Sequence, residues 1–409
     1  MSFSKKCLPI LLSACLLALP ACGNAEPSAP ESSVPESSAP AESSASQEAS
    51  QAESGAAAAV PSFTFTEEEL LPGGKPAMDE GAPAGELLDK YGDSSANYYI
   101  DARSSDLSGE NFIQDPRDIS KLFRMDFDSK TVWPDNLPEG FDPQQILDRN
   151  RNPGLGVRSL HEQGITGKGV NIGIVDNRLL TDHVEYKGRL KMYKNFGTSE
   201  YAMEASMHGL AVASIALGST VGVAPEANLY YVSQDPAKFG ETEECTAPVL
   251  EGLTYLLDLN ELLPEKDRLD VISISYGWTE KKGGEELTAL VERAKEAGIF
   301  VVSSSIKENY GMDFSGTSRD PASNPDDRSA YRPGLFFAAN YQRSPSDFKE
   351  VLMIPMDYRA TASPTGPEDY VNYVYGGYSW AAPYLAGVYA LARQVKPDVS
   401  PEEFYRLAM

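Results

Sequence analysis

From about residue 120 to the C-terminus, short apolar runs of strand length alternate with segments whose apolar residues recur at helical spacing. This alternation limits the fold more than any other feature of the chain. Residues 170–175 read as a strand, with Gly167 and Gly169 before it and polar residues after it. Residues 227–232, 271–274, 299–302 and 335–339 read the same way. Between them, Leu253, Leu256 and Leu257 mark one helix, and Leu287, Leu290, Val291 and Ala294 mark another with Gly298 at its C-terminal end. Ser400-Pro401-Glu402-Glu403 is a capping box that opens a last short helix. Strands alternating with helices predict an α/β fold, a mostly parallel sheet with helices on both faces.

The first 120 residues follow other rules. Lys5 and Lys6 precede an apolar run, residues 8–19, that is short for a membrane span and suits a signal peptide. The run ends in Leu19-Pro20-Ala21-Cys22-Gly23, which resembles a bacterial lipoprotein cleavage box. That resemblance implies removal of residues 1–21 and a lipid on Cys22; an ordinary secretory cut nearby is the alternative. Residues 22–61 are nearly all Ser, Ala, Glu, Pro and Gln, too poor in apolar surface to offset the entropy of ordering. As a flexible tether of about 40 residues, this stretch reaches roughly 35 Å. Residues 62–120 are acidic and without clear periodicity, and read as an N-terminal extension packed on the following domain or as a short pro-segment. Residues 121–409 are the expected folded domain.

A formal charge of -25 opposes nucleic-acid binding and adhesion to an anionic membrane by surface charge. Membrane contact is therefore expected through the N-terminal lipid alone, on the outer face of the cytoplasmic membrane. Of four cysteines, Cys7 and Cys15 leave with the signal and Cys22 takes the lipid, so Cys245 has no partner for an intramolecular disulfide.

The chain has only three histidines, His161, His183 and His208. His208 opens the apolar segment His208-Gly209-Leu210-Ala211-Val212-Ala213, with Gly222-Val223-Ala224-Pro225 downstream. Asp176 ends the strand that follows Gly167-Lys168-Gly169-Val170, and His183 stands seven residues beyond it. Ser379 lies in Gly377-Tyr378-Ser379-Trp380-Ala381-Ala382-Pro383, where a helix N-terminus brings free backbone N–H groups close to the hydroxyl. Each residue alone could be a cap or a strand end. Together, in the order Asp, His, Ser and with these flanks, they resemble the three blocks of the subtilisin-like serine peptidases, or subtilases.

The resemblance implies a subtilisin-like fold over residues 145–409 and hydrolysis of protein or peptide bonds through an acyl-enzyme. It implies Ser379 as nucleophile, His208 as base and Asp176 as the carboxylate that orients it. It also implies that Ser275, Tyr276 and Gly277 line the substrate by backbone pairing. For the oxyanion residue, an ungapped count points to Lys307, and a two-residue insertion points to Asn309 in Asn309-Tyr310-Gly311.

No cofactor or metal is required; structural calcium is open, with no site assignable, and a monomer is expected. The flanks depart from the family at Asn177 and Arg178, at Leu210 and Ala211, and at Tyr378 and Trp380, which are bulkier than the usual neighbours of the nucleophile. A binding or regulatory module on the same fold is therefore the alternative function. A solute-binding lipoprotein leaves the three blocks unexplained, and an acid-acting relative with Glu for His does not match His208.

Overall fold

A computed structural model describes residues 100–113, 118–197, 205–234 and 246–409. The signal peptide, the tether, Cys22 and Cys245 lie outside the described residues. Twelve strands form three sheets among them: β1 (Ile100–Asp101), β2 (Met125–Asp128), β3 (Asn171–Asp176), β4 (Leu190–Asn195), β5 (Asn228–Ser233), β6 (Val271–Ile274), β7 (Phe300–Ser303), β8 (Phe314–Arg319), β9 (Tyr331–Pro333), β10 (Leu352–Pro355), β11 (Arg359–Ala362) and β12 (Tyr370–Tyr373).

The central sheet has the order β4-β5-β3-β6-β7 and is parallel throughout. Its side chains alternate between two cores, as a pleated strand requires. Ile172 and Ile174 of β3, Val271 of β6, and Phe300 and Val302 of β7 enter one core. That core also holds the helices Met207–Leu217 and Tyr378–Val395, called here the histidine helix and the serine helix. Val175, Ile272, Ile274 and Val301 enter the other, against the helices Ala247–Leu262 and Gly284–Glu296. The α/β fold expected from the alternating pattern is therefore the one observed, with helices on both faces of a mostly parallel sheet.

Four of the five strands read from the sequence stand within a residue of their expected bounds. Residues 335–339 do not form a strand. They make a turn and enter the helix Ala338–Arg343. The N–H of Leu335 donates to the Asp357 side chain at 2.7 Å and that of Phe337 to the Gly334 carbonyl at 2.9 Å, so local acceptors replace a ladder. A five-residue apolar run cannot by itself separate a strand from a buried turn of helix.

The other two sheets lie outside this layer. β10-β8-β9 is a small mixed sheet. β1-β2-β12-β11 joins residues 100–128 to the segment just before Ser379, β2 pairing antiparallel with β12. Ile100, Leu107, Phe112, Leu122, Met125 and Phe127 bury in a third core with Ala360 and Tyr370. No helix among the described residues is long and apolar enough to cross a membrane.

Candidate active site

Asp176 is the last residue of the central strand β3, at the C-terminal edge where open parallel sheets place their ligands. His208 is the second residue of the histidine helix. Ser206 caps that helix, its hydroxyl accepting the His208 N–H at 3.2 Å. The loop after Asp176 is bound to the same helix start: Asn177 Nδ2 donates to Ser206 Oγ at 3.3 Å, and the Ser206 N–H donates to the Arg178 carbonyl at 2.8 Å. Gly209 is needed here because a Cβ would stand 2.2 Å from the Asn177 carbonyl oxygen. Strand end and helix start are thus in direct backbone contact. Their side chains meet as a result, with His208 Nδ1 2.7 Å from Asp176 Oδ1.

Asp176 is buried, while the His208 side chain keeps 28 % of its surface exposed, enough to meet a reactant from solution. Burial of the ring disfavours the imidazolium, but the charge and hydrogen bond of Asp176 outweigh it and hold the His208 pKa above the ordinary 6.5. The other two histidines are structural. His183 is fully buried; its Nδ1 accepts the Glu185 N–H at 3.2 Å, which leaves Nε2 to donate to the Asp369 carbonyl at 2.9 Å. His161 Nε2 lies 2.8 Å from the Val223 carbonyl. Burial lowers both pKa values, so neither ring competes with His208 as a base linked to a carboxylate.

Ser379 is the second residue of the serine helix, which packs against the histidine helix. Gly377, before it, has φ 147° and ψ -179°, a conformation open to glycine and closed to residues with a Cβ. Pro383 has no N–H to give the carbonyl four residues back, which is that of Ser379. Ser275 Oγ supplies the missing donor at 3.0 Å and so links the segment after β6 to the backbone of Ser379. The Ser379 N–H has no hydrogen-bond acceptor among the described residues, as expected in the first turn of a helix. No hydrogen bond joins Ser379 Oγ to His208 either; the pair is linked through Trp380, whose ring meets the His208 ring edge-on at 5.5 Å.

The bulky neighbours of Ser379 pack inward. Trp380 is buried between His208 and Tyr373, and Tyr378 lies against Phe314 and Phe337. Ser275, Tyr276 and Gly277 follow the end of β6 as half-buried chain, with the Tyr276 N–H donating to the Ile274 carbonyl at 2.8 Å and the Tyr276 carbonyl accepting the Ser304 N–H at 3.1 Å.

The two oxyanion candidates part company on the short helix Ile306–Tyr310. Lys307 turns outward to Asp313 at 2.7 Å, its side chain largely exposed. Asn309 is buried, and neither Oδ1 nor Nδ2 has a partner. Leaving a buried amide unpaired costs about 1–3 kcal/mol, so Asn309 carries hydrogen-bonding capacity that its neighbours do not use. Among the described residues, no cluster of His, Cys, Asp or Glu is built to hold a metal ion.

Residues 167–333 match the Subtilase family. They form a subtilase-family domain. This match and the similarity to subtilisin-like serine proteases support a subtilisin-like serine endopeptidase, a hydrolase of protein or peptide substrates. It is 25% identical over 367 residues to the subtilisin-like protease PopC of Myxococcus xanthus, which covers 81% of this chain and 74% of that protein. It is 26% identical to an extracellular serine proteinase of Thermus sp. over 63% of this chain and 58% of the relative. With subtilisin E of Bacillus subtilis it shares 28% identity over 58% of this chain and 59% of the relative. The chain thus spans about three fifths of the length of the last two. The family match holds Asp176 and His208 but ends before Ser379, so the third block stands on its own motif and on the serine helix.

Sequence reading missed the supports of the candidate site. Two left a local signal: Ser206 just before the His208 block is a cap residue, and Pro383 four residues after Ser379 announces an orphan carbonyl.

Proposed function

We propose that this subtilase is an active endopeptidase that cleaves peptide bonds through Ser379, His208 and Asp176. The observation that carries this reading is the 2.7 Å His208–Asp176 pair beside the first turn of the serine helix. Asp176 fixes the proton on Nδ1 of His208, which leaves Nε2 as the acceptor. As Ser379 Oγ attacks the substrate carbonyl, its proton passes to His208 Nε2. The resulting oxyanion is held by the Ser379 N–H and Asn309 Nδ2. His208 then protonates the leaving amine, leaving an acyl-enzyme on Ser379 that water, deprotonated by His208, hydrolyses. The substrate backbone runs along Ser275, Tyr276 and Gly277. No step requires a metal or cofactor, and calcium would serve stability alone.

We place the enzyme outside the cell, carried by a lipid on Cys22 and lifted from the membrane by residues 22–61. The signal-like N-terminus supports this, as does an extracellular relative. Residues 62–120 then act as an extension of the catalytic domain, a pro-segment being the other role open to them.

The test is to treat detergent-solubilised full chain with a fluorophosphonate and compare wild type with Ser379→Ala by intact mass. One adduct on wild type and none on the variant is expected. A folded wild type that takes no adduct would overturn this reading in favour of a binding module on the same fold. Anchoring is tested separately, by release of the Cys22→Ser protein from membranes.

A further inference from the structure

Two buried carboxylates grip the chain just before the nucleophile. Strand β12 ends at Tyr373, so the backbone donors after it have left the sheet. The N–H of Val374 donates to Asp126 Oδ1 at 2.7 Å, and the N–H of Gly376 donates to Asp357 Oδ1 at 2.8 Å. Asp357 Oδ2 takes the Leu335 N–H at 2.7 Å and so fixes the turn that carries Phe337 against Tyr378. Asp126 is 4 % exposed and Asp357 is 3 % exposed. Among the described residues neither forms an ion pair. The cations that act on them electrostatically are Arg103 for Asp126 and Arg332 for Asp357; Arg103 is itself held by Asp101 at 2.6 Å and donates to Tyr373 Oη at 3.3 Å.

Burying a carboxyl group outside an ion pair is costly, whether it keeps its charge or takes up a proton, and a hydroxyl or amide could accept a backbone N–H at lower cost. Here both sit where precision matters. Two residues separate Gly376 from Ser379, and the first of them is Gly377 in its glycine-only conformation. Behind Gly376 the Met356 carbonyl is so close that a Cβ would stand 2.4 Å from it. The turn is held from three sides, by β2, by the Asp357 segment and by the serine helix.

We propose that Asp126 and Asp357 are positioning residues for Ser379, clamping the Val374–Gly376 backbone so that the nucleophile meets His208. The inference rests on the peptidase reading above. It makes residues 100–128, which precede the family match, part of the working enzyme: Asp126 belongs to β2, and β2 is paired to β12. The two carboxylates form one unit, close enough for Asp357 to raise the pKa of Asp126.

The test separates positioning from stability by active-site titration. Full-chain wild type, Asp126→Ala, Asp126→Asn, Asp357→Ala and Asp357→Asn are titrated with a fluorophosphonate. Phosphonylation rate, kcat and KM are then expressed per labelled site. Displacing a nucleophile by about 1 Å can cost on the order of 100-fold, so each Ala variant is expected to lose roughly 10- to 100-fold in kcat and phosphonylation rate, with KM within about twofold. Asp126→Asn keeps the one oxygen that is used and should recover most of the loss. Asp357→Asn should recover little, because one of its two acceptors becomes a donor facing an N–H. Ala variants that lose labelled fraction but keep wild-type rates per labelled site would overturn the proposal and leave a structural role only. Absence of labelling in folded wild type would overturn the peptidase reading itself, and this inference with it.

Discussion

His208 Nδ1 lies 2.7 Å from Asp176 Oδ1, across the junction between the end of the central strand β3 and the first turn of the histidine helix. The contact is set by backbone: Gly209 lets the helix start press against Asn177, and Tyr231 Oη donates to the same Asn177 carbonyl from β5. An imidazole held this way has one tautomer and one orientation.

Asp176→Asn should leave the fold intact and lower kcat by roughly 10³- to 10⁴-fold, because the amide can favour the wrong tautomer. The pH profile adds a second readout. A base must be neutral, and Asp176 raises the His208 pKa, so activity of the wild type should rise through a limb above 6.5. In Asp176→Asn the residual activity should have its limb at lower pH. A limb that does not move would show that the Asp176 charge does not reach the base.

Asn309→Ala should lower kcat by roughly 10²- to 10³-fold with little change in KM, the loss that follows removal of one oxyanion donor. Lys307→Ala should leave kinetics near wild type, since its ammonium is held outward by Asp313. Steady-state assays on a peptide substrate decide between them. The reverse pattern would transfer the role to Lys307.

Ser275→Ala removes the donor that satisfies the Ser379 carbonyl. The expected cost is about 1 kcal/mol, a fall of about 2 °C in Tm for a domain of this size. In a Pro383→Ala background the helix can supply its own N–H, and the same substitution should cost less. Equal costs in the two backgrounds would mean that Ser275 does not compensate for Pro383.

Burial raises the Asp126 pKa from 3.8 to about 8 and that of Asp357 to about 6. For Asp126, the Val374 N–H and Arg103 pull the other way, while Asp101 and Asp357 add to the rise. The folded state therefore binds protons more tightly than the unfolded chain. This contribution to stability is complete below about 4 and is lost as pH rises through about 6 to 8. Thermal unfolding should show Tm falling between pH 5 and pH 8.5, and falling less in Asp126→Asn. An equal fall in wild type and variant would remove Asp126 as its source.

Much of this was legible in the chain because its signals are local. Hydrophobic alternation along residues 170–175 and 271–274 places strands without reference to anything distant, and Ser400 announces its helix through a cap that forms within four residues. The blocks around Asp176, His208 and Ser379 are likewise short runs whose residue types declare their chemistry. By itself the sequence determined the α/β alternation, the identity of the candidate triad and the elements that carry each member.

Only the tertiary structure decided what depends on long separations or on side-chain direction. Residues 335–339 are apolar either as strand or as helix, and the Asp357 acceptor that turns them lies over twenty positions away. Lys307 and Asn309 are two residues apart on one short helix, and only packing turns one to solvent and the other inward. The pairing of β2 with β12 joins residues more than 240 positions apart. Nothing in a local window records such a pairing, because its energy comes from surfaces that meet only after the chain between them has folded.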